Sequence, residues 1–189
     1  VSTDEGVEGH AFLGSSQQGA DHHIKGLMKY IKPIVMGRNP QDIGDIWWKM
    51  WKQNRSVSTN AIGAIDICLW DINGKIARQP IHRLLGTCKE SLPAYSSTAW
   101  HRTPEEYTDE AKQFQSMGWT AHKLHPHGEP KTDIKICEAV RDAVGDDMIL
   151  MLDSMWAYQY EDALRVGRAI EALDYYWYED PLVEEDIYN

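Results

Sequence analysis

Trp119-Thr-Ala-His-Lys-Leu-His125, Met148-Ile-Leu-Met-Leu-Asp153 and Tyr175-Tyr-Trp-Tyr-Glu-Asp-Pro181 are short apolar runs, each ending in polar or charged residues that hydrocarbon packing does not need. Stretches with helical periodicity separate them. Lys123 to Asp153 is 30 residues and Asp153 to Glu179 is 26, close to the ~31 residues per unit of a ~250-residue eight-unit β/α barrel. In such a barrel the C-terminal ends of consecutive strands converge on one mouth, so carboxylates at adjacent strand ends can share a divalent cation. Side chains alternate along a strand. This parity puts Ala121, Lys123 and His125 on one face, Ile149, Met151 and Asp153 on another, and Tyr175, Trp177 and Glu179 on a third.

Working outward, the rest of the C-terminal half keeps the same rhythm. A strand is expected over 92–97. Thr103-Pro-Glu-Glu106 then forms a capping box with proline at the first helical position, opening a helix that ends at Gly118. A helix over 130–144 buries Ile134, Cys137, Val140 and Val144 and stops at Gly145, and another is expected over 159–173. Strict alternation of strand and helix implies a parallel sheet. Toward the N-terminus, 1–13 reads as a hairpin around Asp4-Glu-Gly6, and 15–23 as a polar loop with His22 and His23 at the surface. Helices are expected over 24–34, over 42–53 with Trp47, Trp48 and Trp51 as packing residues, and over 60–77. The last carries the stripe Ile62, Ile65, Leu69, Ile72 and Ile76, with Asp66 and Asp71 as solvated or capping groups.

The 189 residues are 42% hydrophobic and 25% charged, which suits a soluble globular protein of one or two domains. No apolar run approaches the ~18–20 residues that span a bilayer, and Val1-Ser-Thr-Asp-Glu5 is no signal sequence. A cytoplasmic protein without a membrane partner is expected. Cys68, Cys88 and Cys137 lack metal or disulfide spacing and read as reduced thiols. A net charge of −10 with no Lys/Arg block argues against nucleic acid as a partner. The chain begins without methionine and stops just after a strand-end motif, so it reads as a fragment.

Ala61-Ile-Gly-Ala-Ile-Asp-Ile-Cys-Leu-Trp-Asp-Ile-Asn-Gly-Lys75, Pro93-Ala-Tyr-Ser-Ser97, Lys123-Leu-His125, Met151-Leu-Asp153 and Trp177-Tyr-Glu-Asp-Pro-Leu182 follow one another in an order and spacing that resembles the enolase superfamily, in particular its mandelate racemase branch. The resemblance implies an α/β fold: an α+β capping domain over 1–90, then the first half of a (β/α)8 TIM-type barrel over 91–189, with the remaining barrel polypeptide needed for activity. It implies Mg2+ held by Asp153 and Glu179, a third ligand beyond Asn189, and later strands carrying further His and Asp acid/base groups. It also implies that the loop over 15–23 closes over the mouth, that the substrate is a small-molecule carboxylate, and that the protein is a homo-oligomer.

The chemistry makes the same demand independently. A proton α to a carboxylate is very weakly acidic, so its removal needs a strong electrostatic sink for the developing enediolate, which a hard oxygen-ligated cation supplies. Lys123 and His125 are the candidate acid/base groups. In the branch the strand usually reads Lys-x-Lys with the second lysine as base; His125 replaces it, and histidine is closer to neutrality at pH 7 than lysine. Met155 departs from the asparagine common two residues after Asp153. The leading expectation is a Mg2+-dependent hydro-lyase that dehydrates an acid sugar. The alternatives are a racemase or epimerase of a 2-hydroxy acid, and a non-catalytic carboxylate-binding protein. On a purely structural reading, Lys123 and His125 line the mouth and neutralise carboxylates, Asp153 and Glu179 cap the following helices, His101 and His127 are loop residues, and Asp180 makes structural hydrogen bonds.

Overall fold

Two separate hydrophobic cores organise the chain. The computed structural model describes residues 1–13, 20–98 and 100–183, and it divides into compact units over Val1–Glu90 and Ser91–Asn189. Among the described residues no helix is long and apolar enough to cross a membrane.

In the first unit the N-terminal hairpin is a single antiparallel bridge between Ser2 and Glu8, turned by Gly6 at φ +78°. Asp71 Oδ2 accepts from the His10 N–H at 2.9 Å and from Lys75 Nζ at 2.8 Å, tying the hairpin to the long helix. Helix α1 (Ala20–Gly26), a π-helical turn over Leu27–Ile31 and α2 (Lys32–Val35) follow in continuous succession. Pro33 lacks the N–H that would close an i→i−4 bond, which accounts for the break in the α pattern just before it. Residues 20–23, expected as loop, therefore belong to a helix, while 15–19 lie outside the described residues. His23, expected at the surface, is buried with Nδ1 2.8 Å from Ser58 Oγ.

Helix α3 (Ile43–Trp51) buries Ile46 and Met50 rather than its indoles. Trp47 and Trp51 stack at 5.4 Å and Trp48 is exposed. Helix α4 (Thr59–Ala77) is capped by Ser58 and stopped at Arg78 in the left-handed region, with α5 (Ile81–Leu84) just beyond. Ile62, Leu69 and Ile72 are buried as the stripe predicts, but Ile76 is exposed in the last turn.

The second unit is a four-stranded parallel sheet in sequential order: β1 (Ser96–Ser97), β2 (Ala121–Leu124), β3 (Ile149–Asp153) and β4 (Tyr175–Glu179). Helices α6 (Pro104–Ser116), α7 (Pro130–Val144) and α8 (Tyr160–Ala172) connect them. The capping box forms as read, with Thr103 and Glu106 exchanging side-chain and backbone bonds. Strand β1 is shorter than the expected 92–97, because only Ser96 and Ser97 find partners, His122 and Lys123. Leu124, Leu150 and Leu152 face the helices and pack with Tyr107, Ala111, Ile136, Val140 and Val166.

Parity fails at one position. The ladder pairs Leu150 with Tyr175 but Met151 with Trp177, so Tyr176 is bulged out and Tyr175 turns to the helix side, where its hydroxyl donates to Cys137 O. Trp177 and Glu179 keep the other face.

His122 shares the helix-facing side of β2 and is fully buried. The Ser96 hydroxyl donates to Ala121 O at 3.2 Å, so it accepts from His122 Nδ1 at 2.8 Å. Nε2 has no hydrogen-bond partner among the described residues. Burial pushes this histidine down to about 4, against 6.5 when unfolded. Its contribution to stability is complete above pH 6.5 and is lost as pH falls toward 4, because only the unfolded chain takes up the proton in that window. The loss amounts to roughly 3 kcal/mol. Melting temperature followed between pH 7 and pH 4.5 is expected to fall less steeply in His122→Asn than in wild type; parallel curves would show that His122 titrates normally.

Candidate active site

At the C-terminal end of the sheet, β2, β3 and β4 bring Lys123, His125, Asp153 and Glu179 into one hydrogen-bonded group. Asp153 and Glu179 are register partners. Lys123 Nζ bridges them, donating to Asp153 Oδ2 at 2.9 Å and to Glu179 Oε1 and Oε2 at 3.1 and 3.0 Å. His125 Nε2 lies 3.0 Å from the same Asp153 Oδ2, and His125 Nδ1 lies 3.1 Å from Thr98 O. Burial alone lowers a lysine, but the hydrogen bonds and charges of Asp153 and Glu179 outweigh it and hold Lys123 above its usual value. Burial likewise acts to raise Asp153; the Lys123 ammonium and the Met155 N–H overcome it and hold the carboxyl below the usual range.

Asp153 does not cap α8, whose N-cap residue is Gln159. Its Oδ1 accepts instead from the Met155 N–H at 3.1 Å, closing a tight turn immediately after the strand. Met155 and Trp156 both take left-handed backbone, at φ +47° and +62°, and Asp180 does so at +46°. For Met155 and Trp156 this costs about 1–2 kcal/mol each. Asparagine tolerates this region better than methionine, so the departure at 155 has a conformational side as well as a polar one. Lateral bonds hold the turns in place: Ser154 N–H to Glu179 O at 3.0 Å, Trp156 N–H to Asp180 O at 2.7 Å and Tyr158 N–H to Pro181 O at 3.2 Å.

Several neighbours of the site escaped the sequence reading. Trp177 Nε1 donates to Glu179 Oε2 at 3.1 Å, and the Tyr95 and Trp177 rings meet nearly at right angles with centroids 5.4 Å apart. The Lys123 ammonium lies 5.7 Å from the Tyr95 centroid. Parity already puts Trp177 on the face of Glu179, and only its hydrogen bond to that carboxylate was not foreseen. Thr98 and Tyr95 carry no local signal, since their roles depend on which strand lies alongside. His101 lies in a loop, as read, with Nε2 3.0 Å from Glu110 Oε2.

One ammonium nitrogen lies within 3.1 Å of oxygens from both carboxylates. Asp153 and Glu179 thus converge on a single point and offer only hard oxygen donors, the set that Mg2+ takes. The residues fit such an ion as two of its ligands. Among the described residues no group of three His, Cys, Asp or Glu side chains completes a site.

The sequence profile for the mandelate racemase / muconate lactonizing enzyme N-terminal domain matches residues 1–86, and the enolase C-terminal domain-like profile matches 106–189. The L-talarate/galactarate dehydratase of Salmonella typhimurium is 31% identical, over 99% of this chain and 49% of its own length. The arabinonate dehydratase of Saccharolobus solfataricus is 31% identical, over 82% of this chain and 44% of its own length. The structure of a racemase from Streptomyces coelicolor with bound magnesium superposes with a TM-score of 0.90 at 26% identity, covering 98% of this chain and 57% of that one. The chain spans about half the length of the curated relatives it matches. With N- and C-terminal profiles matching in order, and with the strand-end carboxylates aligned on one sheet, the chain belongs to the mandelate racemase / muconate lactonizing enzyme family of the enolase superfamily.

Proposed function

We propose that the protein abstracts the proton α to a carboxylate and stabilises the resulting enediolate, in the dehydration of an acid sugar. In this reading residues 1–90 serve as the capping domain and 91–189 as the first half of the barrel. Asp153 and Glu179 hold Mg2+ together with a third ligand from outside residues 1–189, and the bound ion supplies the positive charge that makes the α-proton acidic. Lys123 contributes a second positive charge near the developing enediolate. His125 takes the proton at Nε2. A ring protonated on both nitrogens satisfies both of its acceptors, Thr98 O and Asp153 Oδ2, so the surroundings suit the residue after proton transfer. The β-hydroxyl, protonated by an acid/base group from outside residues 1–189, then departs as water and leaves an enol that becomes a 2-keto acid.

The observation that carries this reading is the convergence of Lys123, His125, Asp153 and Glu179 within hydrogen-bonding distance at three adjacent strand ends. The test is incubation of the full-length protein with gluconate, galactarate and related acid sugars, with Mg2+, in deuterated water. A 2-keto product is the expected result. Deuterium exchange without that product would instead assign a racemase or epimerase, and neither would leave a carboxylate-binding protein.

A further inference from the structure

We infer that Thr98, together with Tyr107, is a positioning element that fixes the ring and backbone of His125; the inference rests on His125 being the proton-transferring group proposed above. His125 lies one residue past the end of β2, where the ladder no longer dictates its orientation. Side chains take over. The His125 N–H donates to Thr98 Oγ1 at 2.9 Å, and the His125 carbonyl accepts from the Tyr107 hydroxyl at 2.8 Å. The ring is held as well, because Nδ1 lies 3.1 Å from the Thr98 carbonyl. A carbonyl can only accept, so this bond requires a proton on Nδ1 and leaves Nε2 facing the Asp153 carboxylate. Thr98 is itself anchored, its N–H donating to Lys123 O at 2.9 Å, so one residue registers both Lys123 and His125.

Both clamp residues are buried, with Thr98 7% and Tyr107 0% exposed, so neither is placed to exchange its bonds for bulk water. The Tyr107 hydroxyl spends its only proton on His125 and accepts from the His101 N–H at 3.3 Å. Packing alone would be served by a valine at 98 and a phenylalanine at 107. The hydroxyls are what the clamp needs.

The test uses the full-length, Mg2+-loaded protein and the acid sugar that supports turnover or exchange above. Thr98→Val and Tyr107→Phe are expected to lower kcat by about 10- to 100-fold, with KM and Mg2+ affinity unchanged, while Thr98→Ser retains most of the activity. Amide hydrogen exchange, which needs no substrate, is expected to show the His125 N–H protected in wild type and in Thr98→Ser and exchanging faster in Thr98→Val, which lacks the Oγ1 that accepts it. Wild-type kcat in both variants with unaltered protection of the His125 amide overturns the clamp. Should Thr98→Val not fold, Tyr107→Phe decides on the kcat criterion. A His125 amide that loses protection in Thr98→Val while His125→Asn exchanges the α-proton normally upholds the clamp and rejects His125 as the base, so the two ideas fail separately.

Discussion

Replacing His125 by asparagine is expected to lower α-proton exchange by about 10²–10⁴-fold, the range for loss of a positioned general base, with Mg2+ affinity nearly intact. Asparagine is the informative choice because its amide N–H₂ can still donate to the Thr98 carbonyl, which the His125 ring engages at 3.1 Å. It has no second nitrogen to accept a proton. Asp153 and Glu179, the proposed metal ligands, keep their Lys123 bonds in the variant, so calorimetric titration with Mg2+ should resemble wild type. Deuterium incorporation at the α-carbon is the direct readout. Exchange at the wild-type rate would assign the base to residues outside 1–189.

Lys123→Met is the second large effect, and it is expected in stability as well as activity. The ammonium neutralises two carboxylates at once, with Lys123 and Asp153 side chains only 9% and 10% exposed. Removing one partner of such a group leaves like charges facing each other, at a cost of about 3 kcal/mol. The low end of the usual range applies because the Glu179 side chain is 37% exposed and partly screened. If Asp153 and Glu179 hold a divalent ion, Mg2+ should restore much of the lost stability, since a ligand bound only by the folded state raises its melting temperature by mass action. The expected result is a larger Mg2+-induced rise in melting temperature for Lys123→Met than for wild type. A variant destabilised equally with and without Mg2+ would mean that the carboxylates serve only as partners for the lysine.

Chain order and strand periodicity made much of the second unit readable. Helices over 104–116, 130–144 and 160–172 and the strands between them follow from capping residues, glycine stops and apolar period, all of which act within a few residues along the chain. The readings that failed depended on lateral neighbours. The indoles of α3 read as core or interface packing from their spacing; Ile46 and Met50 occupy the buried face, so the core alternative is the one that falls. Tyr175 lost its predicted face to a bulge that only pairing with β3 imposes.

The candidate site divides along the same line. The sequence by itself determined that Lys123, His125, Asp153 and Glu179 stand at strand ends, because alternation of side chains and the β/α rhythm are local properties written into consecutive residues. Only the tertiary structure decided that the Lys123 ammonium bridges both carboxylates, that Thr98, 27 residues away, holds the ring of His125, and that Trp177 turns its indole onto Glu179. Those contacts depend on strand register and on how the helices seat against the sheet. Both are settled by packing among residues far apart in sequence, where local propensity has no reach.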